Sequence, residues 1–184
     1  MIREMVPEAP LERTEYGLHA AGEGWFVLNA REARWRDRPE RGYSLPFGGA
    51  TDFPQYVVNL YVLGPGEPIG MYHWEADQED FLVVAGEALL LVEGEERQLR
   101  QWDFVHCPPG TNHIIIGAGT TQCVVVAIGA TENQQPENWG GYTVDEVALR
   151  HGAGVEEGTS DADIAYARFP DVRPTRYPEG LLPS

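Results

Sequence analysis

GEPIGMYHWEADQEDFLVVAG, residues 66–86, is the stretch on which the reading of this chain turns. It carries His73, Glu75 and Glu79, three side chains able to hold a metal, and runs through Phe81-Leu82-Val83-Val84 to Gly86. Residues two apart on a strand face the same side, so His73 and Glu75 are expected to project together. Glu79 follows a turn-like Glu75-Ala76-Asp77-Gln78. A second stretch, WDFVHCPPGTNH over 102–113, adds His113 behind the turn Pro108-Pro109-Gly110. Two imidazoles with one or two carboxylates form a mixed nitrogen and oxygen donor set. Such a set suits one divalent transition metal, Zn(II), Fe(II), Mn(II) or Ni(II), and is too soft for Mg(II) or Ca(II) alone.

Outward from this stretch, short β-rich runs alternate with turn residues. QYVVNLYVL (55–63) ends at Gly64-Pro65-Gly66, and FLVVAG (81–86) leads into EALLLVEG (87–94). ERQLRQWDFVHC (96–107), NHIIIGAG (112–119) and TQCVVVAIGA (121–130) follow. The pattern predicts an all-β sandwich or barrel. The unbroken apolar runs around Ile114–Ile116 and Val124–Val126 predict strands covered on both faces, or facing a partner subunit.

The ends read differently. Residues 1–23 are charged and irregular, GWFVLNA (24–30) has strand composition, and 42–54 is a Gly- and Pro-rich connection. Arg31, Arg34, Arg36, Arg38 and Arg41 fall in one segment, either an anion-binding patch or, preferred here, solvated side chains pairing with carboxylates. After Ala130 a polar linker, TENQQPENWGGY, precedes a capping box at Thr143–Glu146 and a helix to about His151. Ser160 with Asp163 predicts a second short helix, and the proline-rich tail is extended, packed on the barrel or reaching a neighbouring subunit. Three parts are therefore expected: an N-terminal arm with first strands (1–54), a barrel core (55–130) and a C-terminal linker, short helices and tail (131–184).

Composition narrows the function classes. The chain has 184 residues, enough for one domain with a core, and 42% of them are hydrophobic. Its formal charge of −16 opposes nucleic acid and anionic membranes, so neither is an expected partner. All thirteen basic residues are arginine, which excludes Schiff-base lysine chemistry and a P-loop lysine. No apolar run approaches membrane-spanning length, and MIREMVPEAP lacks a leader's apolar stretch. Two cysteines, Cys107 and Cys123, fit reduced thiols in a cytoplasmic protein.

The two stretches together resemble the paired motifs of the cupin family. In the first, Gly66, six residues, His73, one residue, Glu75, three residues, Glu79, six residues and Gly86 follow the family order, with Glu75 in the place of its second histidine. In the second, Trp102 stands for the family's glycine, followed by Pro108, Gly110 and His113, with Gly117 where the family has asparagine. The fifteen residues 87–101 between them match a short cupin spacing, and the resemblance spans about 55–130. It implies a double-stranded β-helix, or jelly-roll barrel, with a metal on His73, Glu79 and His113. Glu75 then either joins the metal or acts as acid or base. The pattern His73-Trp74-Glu75 with a distant histidine also resembles the Fe(II) oxygenase triad, although the 37 residues between Glu75 and His113 are few for that family.

His106, on the strand entering Pro108, is a second candidate for acid or base work if it faces inward; strand alternation puts Cys107 on the other face. Tyr56, Asn59, Tyr61, Met71, Phe81 and Phe104 are candidate inner-wall residues, each otherwise ordinary core, and Cys123 reads as core. Two functions remain: a metal-dependent enzyme on a small organic substrate, of dioxygenase or isomerase type, or a non-catalytic cupin binding or storing a metal or small ligand. A small-molecule ligand and a homodimer are the expected partners.

Overall fold

The computed structural model describes residues 5–48, 53–135 and 137–183. In chain order the strands are β1 (Leu11–Thr14), β2 (Gly17–Ala20), β3 (Trp35–Asp37), β4 (Tyr43–Pro46), β5 (Tyr56–Leu63), β6 (His73–Glu75), β7 (Glu79–Ala85), β8 (Glu87–Val92), β9 (Glu95–Arg100), β10 (Phe104–Cys107), β11 (His113–Ala118), β12 (Cys123–Ala130) and β13 (Gly140–Tyr142). Helices α1 (Glu146–Arg150) and α2 (Ala162–Ala165) and strand β14 (Arg173–Thr175) complete the chain. Among the described residues a seven-stranded sheet, β10-β7-β12-β5-β4-β3-β14, faces a five-stranded one, β13-β6-β11-β8-β9. The strands pair antiparallel. The fold is all-β, a double-stranded β-helix with two short helices.

The apolar runs form the core between the sheets. Ile114, Ile115 and Ile116 of β11 are all buried, opposite Leu91, Leu90 and Leu89 of β8. Each buried isoleucine contributes roughly 1.5–3 kcal/mol of transfer free energy. Val83, Cys123, Val125 and Ala127 close this core from the seven-stranded sheet. A second cluster lies behind that sheet, where Trp35, Leu45, Leu60, Val62, Val124 and Leu181 pack together. The tail thus lies along the barrel, with β14 paired to β3.

Several local expectations are corrected. Residues 24–30 form no strand. Trp25 makes only an isolated parallel bridge with Glu8, through hydrogen bonds to Pro7 and Ala9, and Val27 stays 78% exposed because no partner strand among the described residues passes beside it. Conversely, β1 and β2 form a hairpin within the supposedly irregular start, and Tyr43–Pro46 is β4, paired to β5. Residues 1–4 of that start and 49–52 of the expected connection lie outside the described residues. The run 96–107 is two strands, broken by a turn at Gln101–Asp103. Helix α1 is capped by Asp145, whose carboxylate accepts from the Ala148 N–H at 2.8 Å, rather than by Thr143. Asp161, not Ser160, caps α2.

The arginine segment is divided. Arg38 and Arg41 are only 8% and 6% exposed, and no carboxylate among the described residues lies in ion-pair range of either. Arg38 donates to the Ile69 carbonyl and lies 5.0 Å from the Tyr61 ring centre. Arg41 sits 4.6 Å from the ring of Tyr166 and 4.7 Å from that of Phe169. These two cations join the N-terminal segment to the barrel and to the turn that follows α2, while Arg31, Arg34 and Arg36 are exposed.

Candidate metal centre

Three strands converge on one end of the barrel. β11 pairs with β6 so that His113 lies directly opposite His73, and β7 begins at Glu79. Ligand atoms of His73, Glu79 and His113 all lie within 4.8 Å of one another. His113 Nε2 is 3.0 Å from Glu79 Oε2, and His73 Nε2 is 4.0 Å from the same oxygen.

Backbone carbonyls fix both imidazoles. His73 Nδ1 is 2.8 Å from the Met71 carbonyl, and His113 Nδ1 is 2.9 Å from that of Thr111. A carbonyl only accepts, so each Nδ1 carries a hydrogen and each Nε2 is the nitrogen turned toward Glu79. The Pro108-Pro109-Gly110 turn supplies the Thr111 carbonyl and is tied to β6 by Gly110 N–H donating to the Glu75 carbonyl at 2.8 Å. Two such nitrogens and a carboxylate, partly buried and on rigid strands, fit a divalent transition metal.

Electrostatics agree with that fit. Burial alone would lower the pKa of His113; the Cys107 sulfur and the Glu79 carboxylate beside it outweigh burial and push it up to about 10. Without a metal, a proton therefore holds the place between His113 and Glu79.

Glu75 stands beside this group and outside it. Its Oε1 is 3.4 Å from His73 Nε2, and its Oε2 accepts from Gln134 Nε2 at 2.7 Å. His106 is not brought in. It faces the outer side of the sheet, half exposed, with Nδ1 2.6 Å from Asp80. Cys107, 2% exposed, takes the inward face, aligned with Glu79. Of the wall candidates, Met71 and Phe81 are buried at the site, and Phe81 meets the His113 ring edge-on at 5.4 Å. Tyr61, within the barrel, is raised to about 12 by burial, while Asn59 is half buried. Tyr56 and Phe104 are 45% and 62% exposed and line no inner wall. The acidic residues Glu75, Asp77, Glu79 and Asp80 do not form a solvated loop: buried Asp77 accepts from both the backbone and the side chain of Asn133.

The remaining wall comes from the segment read as a linker. The Trp139 and Tyr142 rings lie 6.2 and 6.0 Å from that of His73. Burial, with Tyr166 beside it, pushes the Tyr142 hydroxyl above its ordinary range, so it stays a phenol. β13 pairs with β6, opposing Gly140 to Glu75 and Tyr142 to His73. An aromatic pair flanking two glycines was the signal in the sequence, hidden by the polar residues before it.

Fold and cluster together define a double-stranded β-helix with a histidine–carboxylate group at one end. Residues 59–129, within this barrel, match the family model of the cupin domain. No curated protein matches the sequence. Among solved structures, a candidate sugar phosphate isomerase from Acidithiobacillus ferrooxidans is 25% identical, over 50% of this chain and 61% of its own, with TM-score 0.44. A cupin-superfamily sugar phosphate isomerase from Silicibacter pomeroyi is 24% identical over 58% and 63%, with TM-score 0.45. An uncharacterised protein with a double-stranded β-helix domain from Klebsiella pneumoniae is 22% identical over 49% and 80%, with TM-score 0.42. The match thus spans less than two thirds of either isomerase.

Proposed function

We propose that His73, Glu79 and His113 hold one divalent transition metal, Zn, Fe, Mn or Ni, and that the protein is a metal-dependent enzyme acting on a small organic molecule. The observation that carries this reading is a group of three donors with a second carboxylate, Glu75, beside it and outside the group. A structural site is closed by four protein ligands, whereas a catalytic site keeps a position open. Binding or storage alone would not require a carboxylate outside the group of donors at that opening.

A bound metal would polarise a substrate oxygen, or engage dioxygen if it is iron. The chain's own groups do the rest. Trp139 and Tyr142 form an aromatic wall against His73 and limit water on that side. Glu75 Oε1, free of Gln134, is placed to take a proton from substrate carbon next to the polarised oxygen and to return it at a neighbouring atom. That is isomerase-type chemistry; the dioxygenase-type alternative applies when iron is loaded. The partner is a small molecule, and the reduced, buried thiols Cys107 and Cys123 fit a cytoplasmic setting.

Elemental analysis of protein purified without chelator should find about one metal ion per chain. His113→Ala should lose it, since one of three ligands is gone. Turnover of hydroxy-carbonyl compounds by the loaded protein, lost in Glu75→Gln, would support the enzyme reading. Stoichiometric metal with no turnover across a broad metabolite panel would replace it with the binding one.

A further inference from the structure

We infer that Gln134 is a positioning residue that holds Glu75 off the metal, so that Glu75 remains a proton carrier instead of becoming a fourth ligand. The inference rests on the metal reading above. Gln134 has two side-chain N–H donors. One reaches Glu75 Oε2 at 2.7 Å, and the same nitrogen lies 3.3 Å from the Ala130 carbonyl at the end of β12. Both neighbours are acceptors, so the amide cannot flip without facing oxygen to oxygen on each side.

Gln134 is itself held. The adjacent Asn133 donates its backbone N–H and its side-chain amide to the two Asp77 oxygens, each at 2.7 Å. Asp77 is 5% exposed, so this clamp is a pair of charge-assisted hydrogen bonds largely shielded from water. Gly110 N–H holds the Glu75 backbone at the same time. Glu75 therefore has a fixed backbone and one carboxylate oxygen engaged. Its other oxygen, 3.4 Å from His73 Nε2, needs only a side-chain rotation to reach the space those ligands share. The hydrogen bond from Gln134 is the restraint on that rotation.

The test uses the full-length protein loaded with Co(II), whose visible absorption reports coordination number, together with competition measurements of Co(II) affinity. Glu75→Gln should bind Co(II) as wild type does, with the same spectrum. Gln134→Met, which keeps length and removes the donor, should tighten binding by about tenfold, the scale on which outer partners move metal affinity, and should change the spectrum. Gln134→Glu, which replaces the donor by an acceptor of the same shape, should act in the same direction and serves if the methionine variant folds poorly. The double variant Glu75→Gln, Gln134→Met should return to the wild-type affinity and spectrum, which a merely structural role for Gln134 would not produce. Weakened Co(II) binding by Glu75→Gln alone would overturn the inference, because Glu75 would already be a ligand. Unchanged affinity and spectrum in both Gln134 variants would overturn it too. A wild-type protein that takes up no Co(II) would defeat the metal reading itself.

Discussion

His113 is where the chemistry of single residues is most exposed to test. Its Nε2 must be free of hydrogen to bind a metal, yet in the metal-free protein that nitrogen holds a proton up to about pH 10. The sign follows. Below that pH, metal uptake expels a proton, so affinity should rise with pH, by about tenfold per unit between pH 7 and 9. Calorimetry in buffers of different ionisation heat should find about one proton released per metal at pH 8. No release at that pH would mean that His113 is neutral in the metal-free protein. The three proposed ligands were legible because the resemblance to the cupin motifs implies them; spacing alone offered two histidines with Glu75, Glu79 or both. Glu75 was legible as a departure but not as to its setting, in which it accepts a hydrogen bond from Gln134. A glutamine 59 positions away leaves no trace in local pattern. His106 and Cys107 were legible only as alternatives, since alternation says that they face opposite sides and not which side is inner.

At the scale of elements, two of the three departures from the cupin pattern, Gly117 and Trp102, have different physical standing. Gly117, in place of the asparagine, belongs to a backbone crossing: it accepts from Gly66 N–H at 2.8 Å and donates to the Glu67 carbonyl at 2.9 Å. A Cβ there would stand 2.1 Å from the Gly64 carbonyl oxygen, so in this chain no side chain fits. Trp102 is the opposite case. It occupies the turn between β9 and β10 with φ of 76°, a left-handed conformation that costs a residue with a side chain about 1–2 kcal/mol. Its indole is 67% exposed and returns little packing energy. Trp102→Gly should therefore stabilise the protein by roughly 0.5–1 kcal/mol after glycine's extra unfolded-state freedom is subtracted. Chemical denaturation reads this directly, and a loss of stability would mean that the indole is covered in solution. Gly117→Asn should instead cost several-fold more than that gain, or prevent folding, seen as a lower midpoint in the same experiment. The barrel strands were legible because apolar runs between turns report burial. GWFVLNA misled because strand composition does not supply a partner strand, and β13 was hidden because its pairing to β6 is fixed by the distant fold, not by its Gly-Gly-Tyr.

At the scale of the whole molecule, the outer face of the seven-stranded sheet is unevenly covered. The N-terminal segment and the tail bury one half of it around Trp35, Leu45 and Leu181. The other half, toward the edge strand β10, leaves Phe104 62% and Ile128 41% exposed, with Trp102 at its margin. Large apolar side chains gathered on one open sheet face are the usual mark of an interaction surface. We expect a homodimer in which this face meets its copy across a two-fold axis, so that each Phe104 packs on the other subunit's sheet. The formal charge of −16 on each chain opposes that contact, and salt screens charges beyond about 8 Å at physiological ionic strength. The dimer should therefore strengthen as salt is raised, the reverse of an interface held by ion pairs. Light scattering during size exclusion should give twice the chain mass of 20.4 kDa, with the dimer fraction rising from low to physiological salt. Phe104→Glu adds a charge to each side and should yield monomer at the same concentration. Because Phe104 points away from His73, Glu79 and His113, that monomer should still bind its metal. A wild-type protein that stays at the single-chain mass at tens of micromolar in physiological salt would rule the dimer out, leaving this face to a different partner.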